Sequence, residues 1–120
     1  MANAVDNPKY ASPGVITWIL TDTDGTGNAV NRSLAADKTV QVGGAFNSGT
    51  VTIQGTNDDP KQTQPAQWDT LHNPLGIALT FTAARIDAIM ENPLFIRAIM
   101  TGTVGAASVK VSVVNKGFNS

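Results

Sequence analysis

The sequence predicts an all-β protein: one domain, a β-sandwich or jelly roll of about eight short antiparallel strands, preceded by an extended N-terminal arm. Three observations lead there. Apolar and polar residues alternate strictly in several short segments, most cleanly over 50–54 and 108–114, and a period of two places successive side chains on opposite faces of a sheet. Clusters of Gly, Asn, Asp and Pro interrupt these segments at short, regular intervals. Finally, 120 residues with 42% hydrophobic content and no Cys suffice for a conventional core without disulfides.

Residues 1–14 hold Pro8, Pro13 and Gly14. X-Pro pairs disfavour helix, so this stretch is expected to be an arm, either disordered or laid over a neighbour. The domain proper spans 15–114, and 115–120 form a short polar tail. Val15 to Thr21 is a β-branched apolar run centred on Trp18 and reads as the first strand. Asp22 to Asn28 is turn chemistry, expected to close a hairpin. Ala29 to Ala35 suggests an edge strand with Val30 and Leu34 inward, and Lys38 to Val42 alternates with Val40 and Val42 inward. Gly43-Gly44 and Asn47-Ser48-Gly49 then frame a turn.

Thr50 to Trp68 forms one unit. Val51 and Ile53 alternate with Thr50, Thr52 and Gln54, Gly55 ends the run, and a polar loop through Asn57, Asp58, Asp59 and Pro60 leads to Trp68. Leu71 continues the short strand at Trp68, His72 to Gly76 is a turn, and Ile77 to Phe81 is a further strand. Thr82 to Glu91 is ambiguous. Ile86, Ile89 and Met90 have helical spacing, but the neighbouring strand signals and Pro93 favour a turn and a short strand. Leu94 to Thr101 is apolar on both faces apart from Arg97, which suggests cover on both sides. After turns at Gly102 and Gly105, Val109, Val111 and Val113 alternate with Lys110 and Ser112 in the last strand.

Charge narrows the function classes. Lys, Arg, Asp and Glu make up 14% of the chain, against roughly 25% in soluble domains generally. Thr, Ser, Asn, Gly and Ala take their place, and such surfaces suit broad protein contact because few charges need desolvation. A net charge of −1 with dispersed Lys and Arg leaves no footprint for nucleic acid. No apolar run approaches the length of a membrane span. MANAVDNPKY lacks a basic segment followed by an apolar one, so no secretory signal is expected. Without Cys there is no thiolate chemistry.

The residues that could carry chemistry are sparse. His72 is the only histidine; it lacks a second His or Cys with which to build a zinc site, and no G-x-S-x-G is present. It is expected to be a turn residue. Asp22, Asp24 and Asn28 imitate a calcium loop, with Gly27 at the turn position, but the closing acid would fall on Ser33. Asp58, Asp59, Asp69, Asp87 and Glu91 offer carboxylates for paired acid–base work. Trp68 is either a sugar-stacking platform or, the favoured reading, a core residue. Arg97 sits in an apolar strand. It needs a partner such as Asp69, Asp87 or Glu91, or else its face lies at a subunit contact.

Val51-Thr52-Ile53-Gln54-Gly55-Thr56-Asn57-Asp58, Trp68-Asp69-Thr70-Leu71, Leu75-Gly76, Ile96-Arg97, Gly102 and the final strand Val109 to Val113 occur in an order that resembles a family of small tailed-phage virion proteins encoded among head genes. The resemblance covers roughly residues 38–114. It implies a jelly-roll decoration, or cement, protein: a homotrimer on the outside of an icosahedral capsid that bridges major capsid protein subunits in the virion, after assembly in the host cytoplasm. It implies no enzyme activity, cofactor, metal, nucleic acid or membrane. It supplies no contact residues. From the arm, the polar loop and the strand arginine, contact is expected at Asn7, Pro8, Tyr10, Asn57, Asp58 and Arg97. The alternatives are a tail or head-fibre component, a carbohydrate-binding module using Trp18 or Trp68, and a small hydrolase around His72.

Overall fold

A computed structural model describes residues 5–6, 15–31, 38–62 and 65–115. The strands are β1 (Val5–Asp6), β2 (Val15–Thr21), β3 (Val30–Asn31), β4 (Lys38–Ala45), β5 (Thr50–Thr56), β6 (Asp69–Thr70), β7 (Thr80–Phe81), β8 (Arg85–Ile89), β9 (Phe95–Thr101) and β10 (Ser108–Asn115). They form two antiparallel sheets, ordered β1-β2-β10-β4-β8 and β3-β9-β5-β6, with β7 also on β5. The pairing is nested: β2 with β10, β3 with β9, β4 with β8, and β5 with β6 and β7. One long hairpin is thus folded back over itself, and the β4·β10 and β5·β9 ladders close the two sheets. This is the jelly-roll order.

The alternating segments become strands because one side of each can be buried. Ile16, Trp18 and Leu20 from β2, Val109, Val111 and Val113 from β10, and Val40 and Val42 from β4 face inward; Val51, Ile53, Ile96, Ala98 and Met100 meet them from the second sheet. Burying each large side chain contributes about 1.5–3 kcal/mol. Lys38 lies among them, 1% exposed, with its amine hydrogen-bonded to Asn92 Oδ1. The period-two pattern places Lys38 inward with Val40 and Val42, and the amide neighbour satisfies a group too costly to bury alone.

Several segments differ from expectation. Asp22 to Asn28 does not close a hairpin. Thr21 and Asp24 exchange backbone hydrogen bonds of 3.1 and 3.2 Å, after which Gly27 N–H donates to Ala98 O (2.7 Å) and Met100 N–H to Gly25 O (2.6 Å). The segment crosses from the first sheet to β9 in the second. Only glycine allows so close an approach: a Cβ at Gly27 would stand 2.7 Å from Ala98 O and 2.8 Å from Trp18 Cδ1. The expected edge strand at 29–35 is β3, with Val30 packed on the core; Leu34 lies outside the described residues. Thr82 to Glu91 is a turn followed by β8, the strand reading rather than the helix. From Phe95 to Met100 burial alternates strictly, one face buried and the other half-buried, so the cover expected on both sides is complete on one side only. Val5–Asp6 of the expected arm pairs with β2.

The turn after β4 begins later than Gly43-Gly44, both of which belong to the strand. It is a two-residue loop: Gly49 N–H donates to Phe46 O (2.8 Å), with φ of 45° at Asn47 and 67° at Ser48, the handedness a tight hairpin requires.

Candidate functional site

The order of the chain at the far end of the hairpin creates an open concavity. β5 runs on to Thr56 past Gly55, where a Cβ would run into Pro93 and come within 2.8 Å of Leu71 Cδ2. The absent side chain lets the loop after β8 close against β5 and β6. Beyond β6, Leu71 N–H donates to Ile53 O (2.9 Å), and Ile53 N–H donates to Leu79 O (3.1 Å). Residues 72–78 are therefore extruded as a small hairpin between β6 and β7, leaning toward β8. An open cleft of about 520 Å³ lies between these pieces, walled by Asn57, Asp58, Gln67, Asp69, His72 and Glu91.

Glu91 holds His72 at two points. Its Oε1 accepts the His72 backbone N–H at 2.7 Å, and its Oε2 lies 2.7 Å from the ring Nδ1. Met90 N–H donates to His72 O (2.8 Å), and Asn73 Nδ2 reaches Asp87 Oδ2 at 3.3 Å. Together these bonds latch the extruded hairpin to β8 and bridge the two sheets. Desolvation is the largest single influence on Glu91 and pushes its pKa up. The hydrogen bonds from His72 N–H, the His72 ring and its own backbone, with the charge attraction of the ring, outweigh it and hold the carboxyl below its usual range.

The other acids of the cleft serve the loop. Asp58 Oδ2 accepts Gln67 N–H (2.9 Å) while Asp58 N–H donates to Thr56 Oγ1 (3.0 Å). Asn57 Oδ1 accepts Leu94 N–H at 3.0 Å, and Asp59 Oδ1 accepts Lys61 N–H at 2.9 Å. Asp69 Oδ2 takes the Gln67 side-chain amide at 3.4 Å. A His–Glu pair can pass a proton; among the described residues no hydroxyl bonds to the His72 ring. Nor, among the described residues, do three His, Cys, Asp or Glu side chains converge as a metal site.

A second feature lies on the outer face of the other sheet. Gln54 and Arg97 are register partners across β5 and β9, and Thr70 pairs with Gln54 from the other side. Trp68, two residues before Thr70, falls on the same face and lies half-buried over the guanidinium, whose central carbon is 4.1 Å from the ring. Arg97 Nε donates to Gln54 Oε1 at 2.9 Å. Partial burial lowers the Arg97 pKa, but a guanidinium stays protonated, and the aromatic face offsets part of its lost hydration.

Of the residues expected to make contacts, Asn57 and Asp58 stand together at the cleft rim and Arg97 lies on the sheet face; Asn7, Pro8 and Tyr10 lie outside the described residues. Two expectations change. Arg97 pairs with an amide and an indole instead of Asp69, Asp87 or Glu91, because the register puts Gln54 beside it. Trp68 is not a core residue: it follows a loop and covers the outer face, while Trp18 is wholly buried. The His72–Glu91 pair was invisible because its members lie 19 residues apart and no periodicity links them. Comparison with protein-family models, curated proteins and solved structures found no match for the chain.

Proposed function

We propose that the protein is a structural virion component, a decoration protein that binds the outside of an icosahedral phage capsid as a homo-oligomer and stabilises contacts between major capsid subunits. The observation that carries this reading is how the polar residues of the family-like pattern are used. Gly55 makes room for Pro93 and Leu71, Asn57 holds Leu94, Asp58 holds Gln67, and Arg97 lies under Trp68. Each rigidifies the scaffold, which suits a protein that works by shape and contact. Binding the assembled shell in preference to dissociated subunits would stabilise it by mass action, without bond chemistry.

Mixing the purified chain with bare expanded capsids and measuring co-sedimentation and thermal disruption tests the proposal. Saturable binding with a raised disruption temperature is expected; failure to bind would overturn it. The carbohydrate-binding alternative now rests on Trp68 alone, since Trp18 is 0% exposed. It predicts a glycan-dependent fluorescence shift that Trp68→Phe abolishes.

A further inference from the structure

We propose that the outer face of the β2-β10-β4-β8 sheet is the surface through which two copies of this chain pair, face to face and about a two-fold axis. The registers fix what this face presents. Thr17, Ser112, Gln41 and Ile86 form one row straight across the four strands. Toward one end the next row carries Val15 and Val114; toward the other it carries Ile19 and Lys110. Ile19, Ile86 and Met90 are 48%, 64% and 60% exposed, whereas outward strand positions of a solvated sheet are normally polar. Lys110 is the only ionisable side chain among the outward positions of these four strands. Depletion of charge around exposed aliphatic and Met side chains marks the centre of an interface.

The occupant follows from size, edges and charge. Four strands at ~4.8 Å spacing and a seven-residue strand at ~3.3 Å per residue give a footprint of roughly 20 by 20 Å. That footprint is roughly 400 Å², about half of the ~800 Å² that each partner contributes to a standard interface, a size that suits a weak, concentration-dependent pairing. Sheet extension through β8 is disfavoured, because Ala88 N–H is taken by Asp87 Oδ1 (2.8 Å) and Met90 N–H by His72 O (2.8 Å). Contact on this side of the sheet is therefore made by the face, as sheets pack within a sandwich, and not by the β8 edge.

A second copy fits this face about an axis along the central row. Ile86 then meets Ile86 of the other copy, and Ile19 meets Val15. Lys110 falls over Val114. Four residues of strand separate those positions, so the backbones of the two Lys110 residues stand roughly 13 Å apart along the strands, and each flexible stem can lie along Val114 while its ammonium reaches water at the rim. The face can thus meet its own copy without like charges in contact. The pairing does not rest on the capsid reading, and its two-fold geometry differs from the trimer that the family resemblance implies.

Sedimentation velocity of the purified full chain, from micromolar to millimolar concentration, is the test. A monomer–dimer equilibrium is expected. Ile86→Asp should weaken it by about tenfold or more, whereas Leu75→Asp, on the extruded hairpin, should leave it unchanged. Both positions are exposed, and circular dichroism checks that each variant folds. The chain has no Cys, so Ser112→Cys places a single thiol on the axis, where a short bis-maleimide should link two copies. A monomer at every concentration, an oligomer indifferent to Ile86→Asp, or dimers that Ser112→Cys fails to cross-link would each overturn the pairing.

Discussion

Replacing Gly27 with alanine tests whether the crossover between sheets is as tightly constrained as its geometry implies. The new methyl would stand 2.7 Å from Ala98 O, 2.8 Å from Trp18 Cδ1 and 2.9 Å from Trp18 Nε1. Neither neighbour can yield freely. Ala98 O accepts the Gly27 N–H, so moving it forfeits a hydrogen bond worth about 0.5–1.5 kcal/mol. Trp18 is fully buried, and its indole N–H donates to Asn28 O at 3.1 Å, so moving it disturbs the packed core at a cost of about 1–3 kcal/mol. A loss of about 2–4 kcal/mol follows, a large share of the 5–15 kcal/mol typical of a domain. Gly43 is the control. Its nearest neighbour would be Ala84 Cβ at 3.9 Å, ordinary contact, so Gly43→Ala should be neutral or stabilise by up to about 1 kcal/mol through the unfolded chain. Urea unfolding followed by tryptophan fluorescence reads both. A Gly27→Ala unfolding free energy within about 0.5 kcal/mol of the parent, or a Gly43→Ala loss as large as that of Gly27→Ala, would refute the reasoning.

Three other outcomes are expected. Ser48→Gly should stabilise the protein by about 0.5–1 kcal/mol in the same unfolding assay, because Ser48 holds a φ of 67° that costs a side-chain-bearing residue roughly 1–2 kcal/mol, partly offset by the freer unfolded glycine. A double-mutant cycle of Arg97→Ala and Trp68→Ala should yield a coupling of about 0.5–1 kcal/mol, and an additive result would mean that the stacking contributes nothing. The pKa of Glu91 is lower folded than its unfolded value near 4.5. Its contribution is therefore full above that value and fades as the pH falls through the lower, folded one. The gap in melting temperature between the parent and Glu91→Gln should accordingly shrink as the pH is taken from 6 to well below about 4.5; a constant gap would mean the latch is not electrostatic.

The strands could be read from the sequence because alternation is local. Val51 and Ile53, or Val109, Val111 and Val113, must share a face whatever they pack against, and all five are buried. Turn residues near 47–49 and 102–105 marked the ends for the same reason: φ preferences belong to single residues. The family-like order of motifs also pointed to the jelly-roll arrangement. The rest depended on partners distant along the chain. Arg97 and Gln54 are 43 residues apart, Lys38 and Asn92 are 54 apart, and Glu91 and His72 are 19 apart. No window of sequence says which strand lies beside which, or in what register, and a one-residue slip would turn every side chain to the opposite face. Sequence alone thus determined that the chain makes two-faced strands with a large apolar share and few charges. Only the closure of the two sheets decided that Trp68 covers an arginine outside while Trp18 fills the core, that a lysine is buried, and that the outward positions of four strands, uncharged but for Lys110, line up as one face.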